Sequence, residues 1–450
     1  MGTKSTNSKT KSSSDIAPIT EITVEGYKTI KQAQAIDIRP LTILAGANNS
    51  GKSSMMQPLL LLKQTSDAEY DPGPLKLDGD NVTFTSVEQL LSLTRSGRQR
   101  RAFSVEIKVG SELTVGLTFE KDKRKGFAIR EMRVRGNSED VVLRQDMGAQ
   151  AIKTYVPDEI DELLARFVKS KRSKLRWDVV RRGAFLNLEV KERRGDAYIR
   201  LPVGFSPSAL VVPRIEEIIH LPGLRGMPVR AYPKTAVGRT FKGAFPQYVA
   251  SVIANWQDRK SSYLHDVFQD LEDLGLTWKV KAEPVDDVRV EIQVGRMPHR
   301  AKGIGHELVN VADVGLGVSQ ALPIVVALRL AKPHQIVYIE QPEIHLHPRS
   351  LLCLAQLLCA AARRGVRVVA ETHSSLLLLA IQTVVAKGKP LTSGDVVLHW
   401  FERNAQDGST AVTRATLDGS GSFGEWPEDF GDTELMAEKE YLDSVAAKQR

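Results

Sequence analysis

Eight consecutive residues, Gly46-Ala47-Asn48-Asn49-Ser50-Gly51-Lys52-Ser53, have the makings of a phosphate cradle. A bound phosphate asks for inward-pointing backbone N–H groups and a compact cation. Gly46 and Gly51 permit the unusual dihedrals of such a loop, Lys52 can reach β- and γ-phosphates, and Ser53 offers a hydroxyl to Mg²⁺. Asn48, Asn49, Ser50 and Ser54 complete the expected contacts, and the expected ligand is ATP with Mg²⁺. A carboxylate follows far down the chain: Gln335 to Pro348 reads Q-I-V-Y-I-E-Q-P-E-I-H-L-H-P, a Walker B strand ending in Glu340. Ligands of open α/β sheets bind beyond the carboxyl ends of the strands, so Glu340 is expected to hold the Mg²⁺ shell opposite Ser53. A third stretch, Asp313-Val314-Gly315-Leu316-Gly317-Val318-Ser319-Gln320, precedes the apolar run A-L-P-I-V-V-A-L-R-L. Here Ser319 is expected as a helix N-cap with Pro323 in the first turn, a serine and glycines at a helix start being suited to a γ-phosphate.

These groups need elements to hold them. Leu41 to Leu44 is a short apolar strand running into the glycine loop, and Ser54 to Gln64 has a helical pattern, so strand, loop and helix follow in the order a P-loop needs. Alternation from Ile19, and again in Phe103 to Val109 and Leu113 to Phe119, predicts an antiparallel β lobe. The stretch D-E-I-D-E-L-L-A-R-F-V-K-S-K-R-S-K within 157–185 starts acidic and ends basic, as a helix favours. Helices are expected over Gln247 to Trp256 and Tyr263 to Leu274, strands over 277–294, and alternating helix and strand over 306–380. The expected fold is therefore α/β: a P-loop head with an antiparallel β lobe, a core mixed sheet flanked by helices and a small helical insertion. Its divisions are a disordered tail (1–18), an N-terminal lobe (19–150), a helical and β insertion (151–230), a C-terminal lobe (231–390) and a tail module (391–450).

Composition narrows the class. The chain has 450 residues, 42% hydrophobic and 26% charged, with a net charge of +8, which excludes disorder as the main state and permits an acidic partner without requiring one. Its two cysteines, Cys353 and Cys359, lie in one apolar helical run, so no disulfide framework exists and a reducing compartment fits. The N-terminus lacks the apolar core of a secretory signal and no stretch is long enough to span a membrane, so a cytoplasmic protein is expected.

The motif P-E-I-H-L-H-P after the Walker B strand, with Glu371-Thr372-His373-Ser374 after the apolar strand Val366 to Ala370, resembles the ATP-binding-cassette-like ATPases of the RecF, SMC and overcoming-lysogenisation-defect (OLD) group. The resemblance implies that His373 is the switch residue sensing the γ-phosphate. It also implies that the loop bearing Gly317 and Ser319 is the signature motif reaching ATP on a second subunit, so that two chains join head to tail around two ATP molecules. One departure bears on chemistry: relatives place a catalytic glutamate after the Walker B acid, and Gln341 stands here. A glutamine orients water without taking its proton, so slow hydrolysis is expected, with Glu343 as the alternative base. Gln89 is the candidate Q-loop residue, open between that role and an exposed helical glutamine, and Arg225 in H-L-P-G-L-R-G either contacts phosphate or braces its turn. OLD nucleases add a toprim domain, but nothing after His373 supplies an Asp-x-Asp pair. Instead, Gly424 to Phe430 resembles the short tail module of stand-alone relatives. The implied role is a switch governing a separate nuclease or toxin in anti-phage defence. Alternatives are a DNA-repair or chromosome-maintenance ATPase and an ATP-bound scaffold. For the DNA reading the basic clusters are Arg98 to Arg101, Lys169 to Lys174 and Arg181-Arg182, weighed equally against a solvated charged face.

Overall fold

The structure, a computed structural model, describes residues 17–94, 96–122, 126–136, 140–156, 175–194, 197–296, 307–388, 391–424, 436 and 439–445. The chain divides into two compact units, Met1–Ala35 with Met55–Glu217 and Ile36–Ser54 with Ile218–Arg450.

In the first unit, strands Ile19–Glu25, Ala102–Val109, Leu113–Asp122, Gly126–Arg135 and Asp140–Leu143 pair antiparallel in that order, as the alternation predicts. Phe103, Val105, Ile107 and Val109 point inward from one strand, and Phe103 stacks on Phe119 with centroids 5.3 Å apart. A second sheet holds Leu175–Arg182, Phe185–Arg194 and Ala197–Phe205, again antiparallel. The whole helical stretch expected before it, 158–174, lies outside the described residues, as do most of the N-terminal tail and of Gly424 to Phe430.

The second unit is built on a six-stranded sheet. Its strands are β1 (Leu41–Gly46), β2 (Ile219–Leu221), β3 (Ile336–Glu340), β4 (Arg367–Thr372), β5 (Val396–Arg403) and β6 (Thr410–Thr416), in the order β2-β3-β4-β1-β5-β6. All neighbours are parallel except β5 and β6, which form a hairpin. Every residue of β1 is buried, and β3 and β4 are buried almost throughout, the near-continuous apolar reading of parallel strands covered on both faces. The chain's helices include α1 (Lys52–Ser66), which begins in this unit, then α2 (Val249–Asp258), α3 (Ser262–Asp273), α4 (Leu316–Leu330), α5 (Ser350–Arg363) and α6 (Ser375–Ala386). Arg329 of α4 forks onto the buried Asp270 of α3 with two contacts of 2.6 Å, which fixes the angle between those helices. Among the described residues no helix is long and apolar enough to cross a membrane.

Helix α4 begins earlier than its sequence suggests. Gly315 is the N-cap, so Ser319 is the fourth helical residue and Pro323 lies in the helix interior. Gly317, read as loop, is helical, and that hid the true start. The Ser319 hydroxyl, rather than capping, donates back to the Leu316 carbonyl at 3.0 Å. Pro323 leaves the Ser319 carbonyl without its usual donor.

His399 of β5 is buried, and its Nε2 accepts the Asp37 amide N–H at 3.0 Å. Burial pushes its pKa down to about 4, against the opposing pull of Asp37. With a folded-state pKa below the ordinary 6.5, the unfolded chain takes up a proton first, so stability present above pH 6.5 is lost as pH falls towards 4. Urea midpoints followed across that window are expected to drop less steeply for His399→Gln, the difference amounting to ~1–3 kcal/mol. Parallel pH profiles for the two proteins would contradict the assignment.

Candidate nucleotide-binding site

Strand register gathers the chemistry. Glu340 of β3 lies beside Glu371 of β4, and Glu371 and Thr372 lie beside Leu44 and Ala45 of β1, so three parallel strands end in one row. Beyond that row the loop turns through Gly46 (φ 142°), Asn49 (φ 63°) and Gly51 (φ 106°) into the first turn of α1. Gly46 has no alternative: a Cβ there would lie 2.2 Å from the Phe401 carbonyl oxygen on β5. The hairpin partner β6 adds an anchor, since the buried Thr410 hydroxyl donates to the Ser50 carbonyl at 2.8 Å.

Lys52 is buried and donates to the carbonyls of Gly46 at 3.0 Å and Ala47 at 2.8 Å. Burial lowers its pKa, opposed by Glu371 and Glu343. Carbonyls satisfy its N–H donors without cancelling its charge, which is the state a lysine needs to meet an anion. His373 sits against the same loop, its Nδ1–H on the Gly46 carbonyl at 2.9 Å and 3.4 Å from Lys52 Nζ. Burial and the Lys52 charge hold the imidazole below its ordinary pKa. Its backbone N–H and the Thr372 hydroxyl both donate to Glu343 Oε1, at 3.0 and 2.7 Å.

The Ser53 hydroxyl meets Glu371 Oε1 at 2.9 Å, and the Tyr338 hydroxyl donates to the other carboxylate oxygen at 2.9 Å. Glu340, the acid expected opposite Ser53, is instead held by the Gly223 N–H at 3.1 Å and by His220 Nε2 at 3.2 Å. His220 is buried and stacks on Tyr338. The two carboxyls are driven apart in acidity. Burial and the neighbouring Glu340 raise Glu371. Burial would raise Glu340 too, but His220, Gly223 and Tyr338 outweigh it and the net direction is down.

Gln341 adopts a left-handed backbone (φ 44°), uncommon for a residue with a side chain. It is held on both sides: its N–H donates to the Glu371 carbonyl at 2.7 Å, and its carbonyl accepts Arg225 Nη2 at 3.2 Å. Four buried polar atoms at these strand ends have no hydrogen-bond partner: Ser50 Oγ, Glu343 Oε2, and Nε and Nη1 of Arg225.

Not every expected residue joins the cluster. The Gln89 side chain closes its own turn, accepting the Thr85 N–H at 2.9 Å and donating to the Thr85 hydroxyl at 3.1 Å. Gly317 and Ser319 stand in the first turn of α4 and share no hydrogen bond with the P-loop of the same chain among the described residues. Of the basic clusters, Arg100 pairs with Glu25, Arg101 with Glu120, Arg181 with Asp71 and Arg182 with Glu189, while Lys169 to Lys174 fall outside the described residues. Sequence reasoning passed over Glu371, Tyr338, His220 and Thr410. Glu371 carried a usable signal, since it ends an apolar strand as Glu340 does.

Mg²⁺ in phosphate sites takes one or two carboxylates together with substrate oxygens. Ser53, Glu371 and Glu340 match that donor set, and the partnerless donors match a phosphate. A parallel sheet whose buried first strand turns through a glycine loop into a helix, with acids ending the neighbouring strands, defines a P-loop nucleotide-binding domain. Residues 41–380 match the family described as "AAA domain, putative AbiEii toxin, Type IV TA system", and the chain belongs to that AAA family. No curated protein sequence matches the chain. Solved structures similar to it include an SMC head bound to the C-winged helix domain of ScpA, at TM-score 0.48 and 12% identity over 89% of this chain and 98% of that one. An SMC head domain from Thermotoga maritima gives 0.38 and 13% over 88% and 98%. An Smc head with an extended coiled coil, bound to the C-terminal domain of ScpA derived from Pyrococcus furiosus, gives 0.44 and 10% over 96% and 100%. Likenesses this loose add nothing to the family match.

Because the Phe401 carbonyl occupies the space beside Gly46, Gly46→Ala is expected to shift the loop at a cost of ~1–3 kcal/mol and to weaken binding of a fluorescent ATP analogue at least tenfold. Native affinity in that variant would show that the loop does not bind the nucleotide.

Proposed function

We propose that this chain binds ATP with Mg²⁺ at Gly46 to Ser54, hydrolyses it slowly, and acts as an ATP-dependent dimer switch over a separate effector. The observation carrying this reading is Gln341, an amide at the strand end beside the P-loop row, fixed in a strained backbone by two hydrogen bonds. In this reading the loop N–H groups and Lys52 hold the β- and γ-phosphates, while Ser53, Glu371 and Glu340 present oxygens to the metal. Bound Mg²⁺ would neutralise charge on the phosphates. Gln341 orients the attacking water and cannot accept its proton. Glu343 spends one oxygen on Thr372 and His373, which leaves Oε2 as the base within reach. His373 contacts both Gly46 and Lys52, a placement suited to reporting the γ-phosphate.

Gly317 and Ser319 share no hydrogen bond with their own P-loop among the described residues, and this reading uses them on the ATP of a second copy, with the N-terminus of α4 directed at the γ-phosphate. ATP then favours the joined state because its terminal phosphate contacts both chains, and hydrolysis releases them. The family description, putative AbiEii toxin of a Type IV TA system, is in keeping with a toxin–antitoxin or defence setting, to which this reading adds a separate nuclease or toxin under control. The DNA reading draws on the same basic clusters, of which Arg100, Arg101, Arg181 and Arg182 are ion-paired and Lys169 to Lys174 lie outside the described residues.

Two measurements test this. Single-turnover hydrolysis by Gln341→Glu is expected to exceed the native rate at least tenfold, and Glu343→Gln to fall below it; an unchanged rate in both would refute the assignment of these residues. Sedimentation of the native chain with Mg²⁺ and a non-hydrolysable ATP analogue is expected to show a doubled mass that Ser319→Arg abolishes. A monomer under saturating analogue would rule out the dimer switch.

A further inference from the structure

Arg225 lies in the loop Pro222 to Pro228 between β2 and the short strand Tyr232–Pro233, and only 8% of it is exposed. One guanidinium nitrogen, Nη2, is spent on the end of β3, donating to the Glu340 carbonyl at 2.7 Å and the Gln341 carbonyl at 3.2 Å. The other two, Nε and Nη1, are buried with no hydrogen-bond partner among the described residues. Among the described residues the side chain forms no ion pair within 4.0 Å, although the charges of Glu343 and Glu340 act on it, and Glu343 Oε2 has no hydrogen-bond partner there either. Burial lowers the pKa to about 10, so the group remains a cation at neutral pH.

A buried cation with unspent N–H donors is costly unless something meets it. Bracing the turn uses Nη2 alone and leaves the other two nitrogens unexplained. Nε and Nη1 lie on different edges of the guanidinium, so a phosphate meets them singly: one charge-assisted N–H can be given to a phosphate oxygen while Nη2 stays on the carbonyls, a division that the single nitrogen of an ammonium lacks. Its surroundings belong to the strand-end cluster, because Glu343 bonds His373 and His373 bonds Gly46.

Resting on the ATP-binding reading above, we infer that Arg225 is a binding residue for the terminal phosphate of a nucleoside triphosphate, through an N–H of Nη1 or Nε, both without a partner among the described residues. The same residue connects that phosphate to α4. Its backbone N–H donates to Gln320 Oε1 at 3.3 Å, and Gln320 Nε2 donates to the Gly226 carbonyl at 2.8 Å, so a side chain of α4 grips the Arg225 loop from both sides. Gln320 adjoins Ser319 and is one turn from Gly317. Occupancy of the terminal-phosphate position thereby bears on the first turn of α4 through one side chain and one loop.

The test compares Mg²⁺-dependent binding of fluorescent AMPPNP and fluorescent ADP by the native chain, Arg225→Met and Arg225→Lys, with melting curves recorded for all three. Arg225→Met is expected to lose tenfold or more of its AMPPNP affinity while its ADP affinity changes less than twofold. Arg225→Lys keeps the charge on one nitrogen that cannot hold both carbonyls and reach the phosphate together, and is expected to lose about threefold or more for AMPPNP alone; it decides the matter if Arg225→Met does not fold. Equal effects on both nucleotides, or none on either, in the folded variant would overturn the inference and return Arg225 to a bracing role. A native chain that binds neither nucleotide would instead sink the ATP-binding reading.

Discussion

Parallel pairing of β4 between β3 and β1 is the constraint on which the site depends. In a parallel ladder the register sets which residues end level with one another, and here it sets Glu340 beside Glu371 and Glu371 beside Leu44. The glycine loop, two acids and the Thr372-His373 turn therefore emerge at one edge of one sheet, although they come from residues as far apart as 46 and 373. The apolar side chains of β1, β3 and β4 hold this register by being buried on both faces, so the force that makes the core also aligns the chemistry. The hairpin β5-β6, beyond the span of the family match, completes the arrangement by setting Phe401 against Gly46 and Thr410 on Ser50.

The site then divides labour between neighbours of the same type. Two glutamates at adjacent strand ends differ because their partners differ: Glu371 is buried with a serine and a tyrosine, Glu340 faces a histidine and an amide N–H. Two cations differ likewise. Lys52 has its donors satisfied by carbonyls with its charge uncancelled, whereas Arg225 spends one nitrogen on the backbone and keeps two. Gln341 is held in a strained conformation by its N–H on the Glu371 carbonyl and by Arg225 on its own carbonyl.

Much of this was legible in the sequence, for a physical reason. Glycines that need positive φ and short apolar runs ending in a polar residue are local patterns, so the P-loop, β1, β3, β4 and α1 could be read directly. What escaped were the facts that register decides. Nothing local distinguishes Glu371 from Glu340 as the partner of Ser53; only the insertion of β4 next to β1 does. His220 and Tyr338 are apolar-strand residues whose role comes from stacking across two strands. The start of α4 was misplaced because glycine at Gly317 mimics a loop while its backbone is helical, and Gln89, which fits a motif by position, is consumed by its own turn.

The central claim is that the sheet register makes Glu371 the acid facing the P-loop serine. Equilibrium binding of a fluorescent ATP analogue, titrated with Mg²⁺ in native, Glu371→Gln and Glu340→Gln proteins, tests it most directly. The expected result is that Glu371→Gln loses tenfold or more of the affinity that Mg²⁺ confers, keeps its metal-free affinity, and is hit harder than Glu340→Gln. Native Mg²⁺ dependence in Glu371→Gln, with the loss confined to Glu340→Gln, would contradict it.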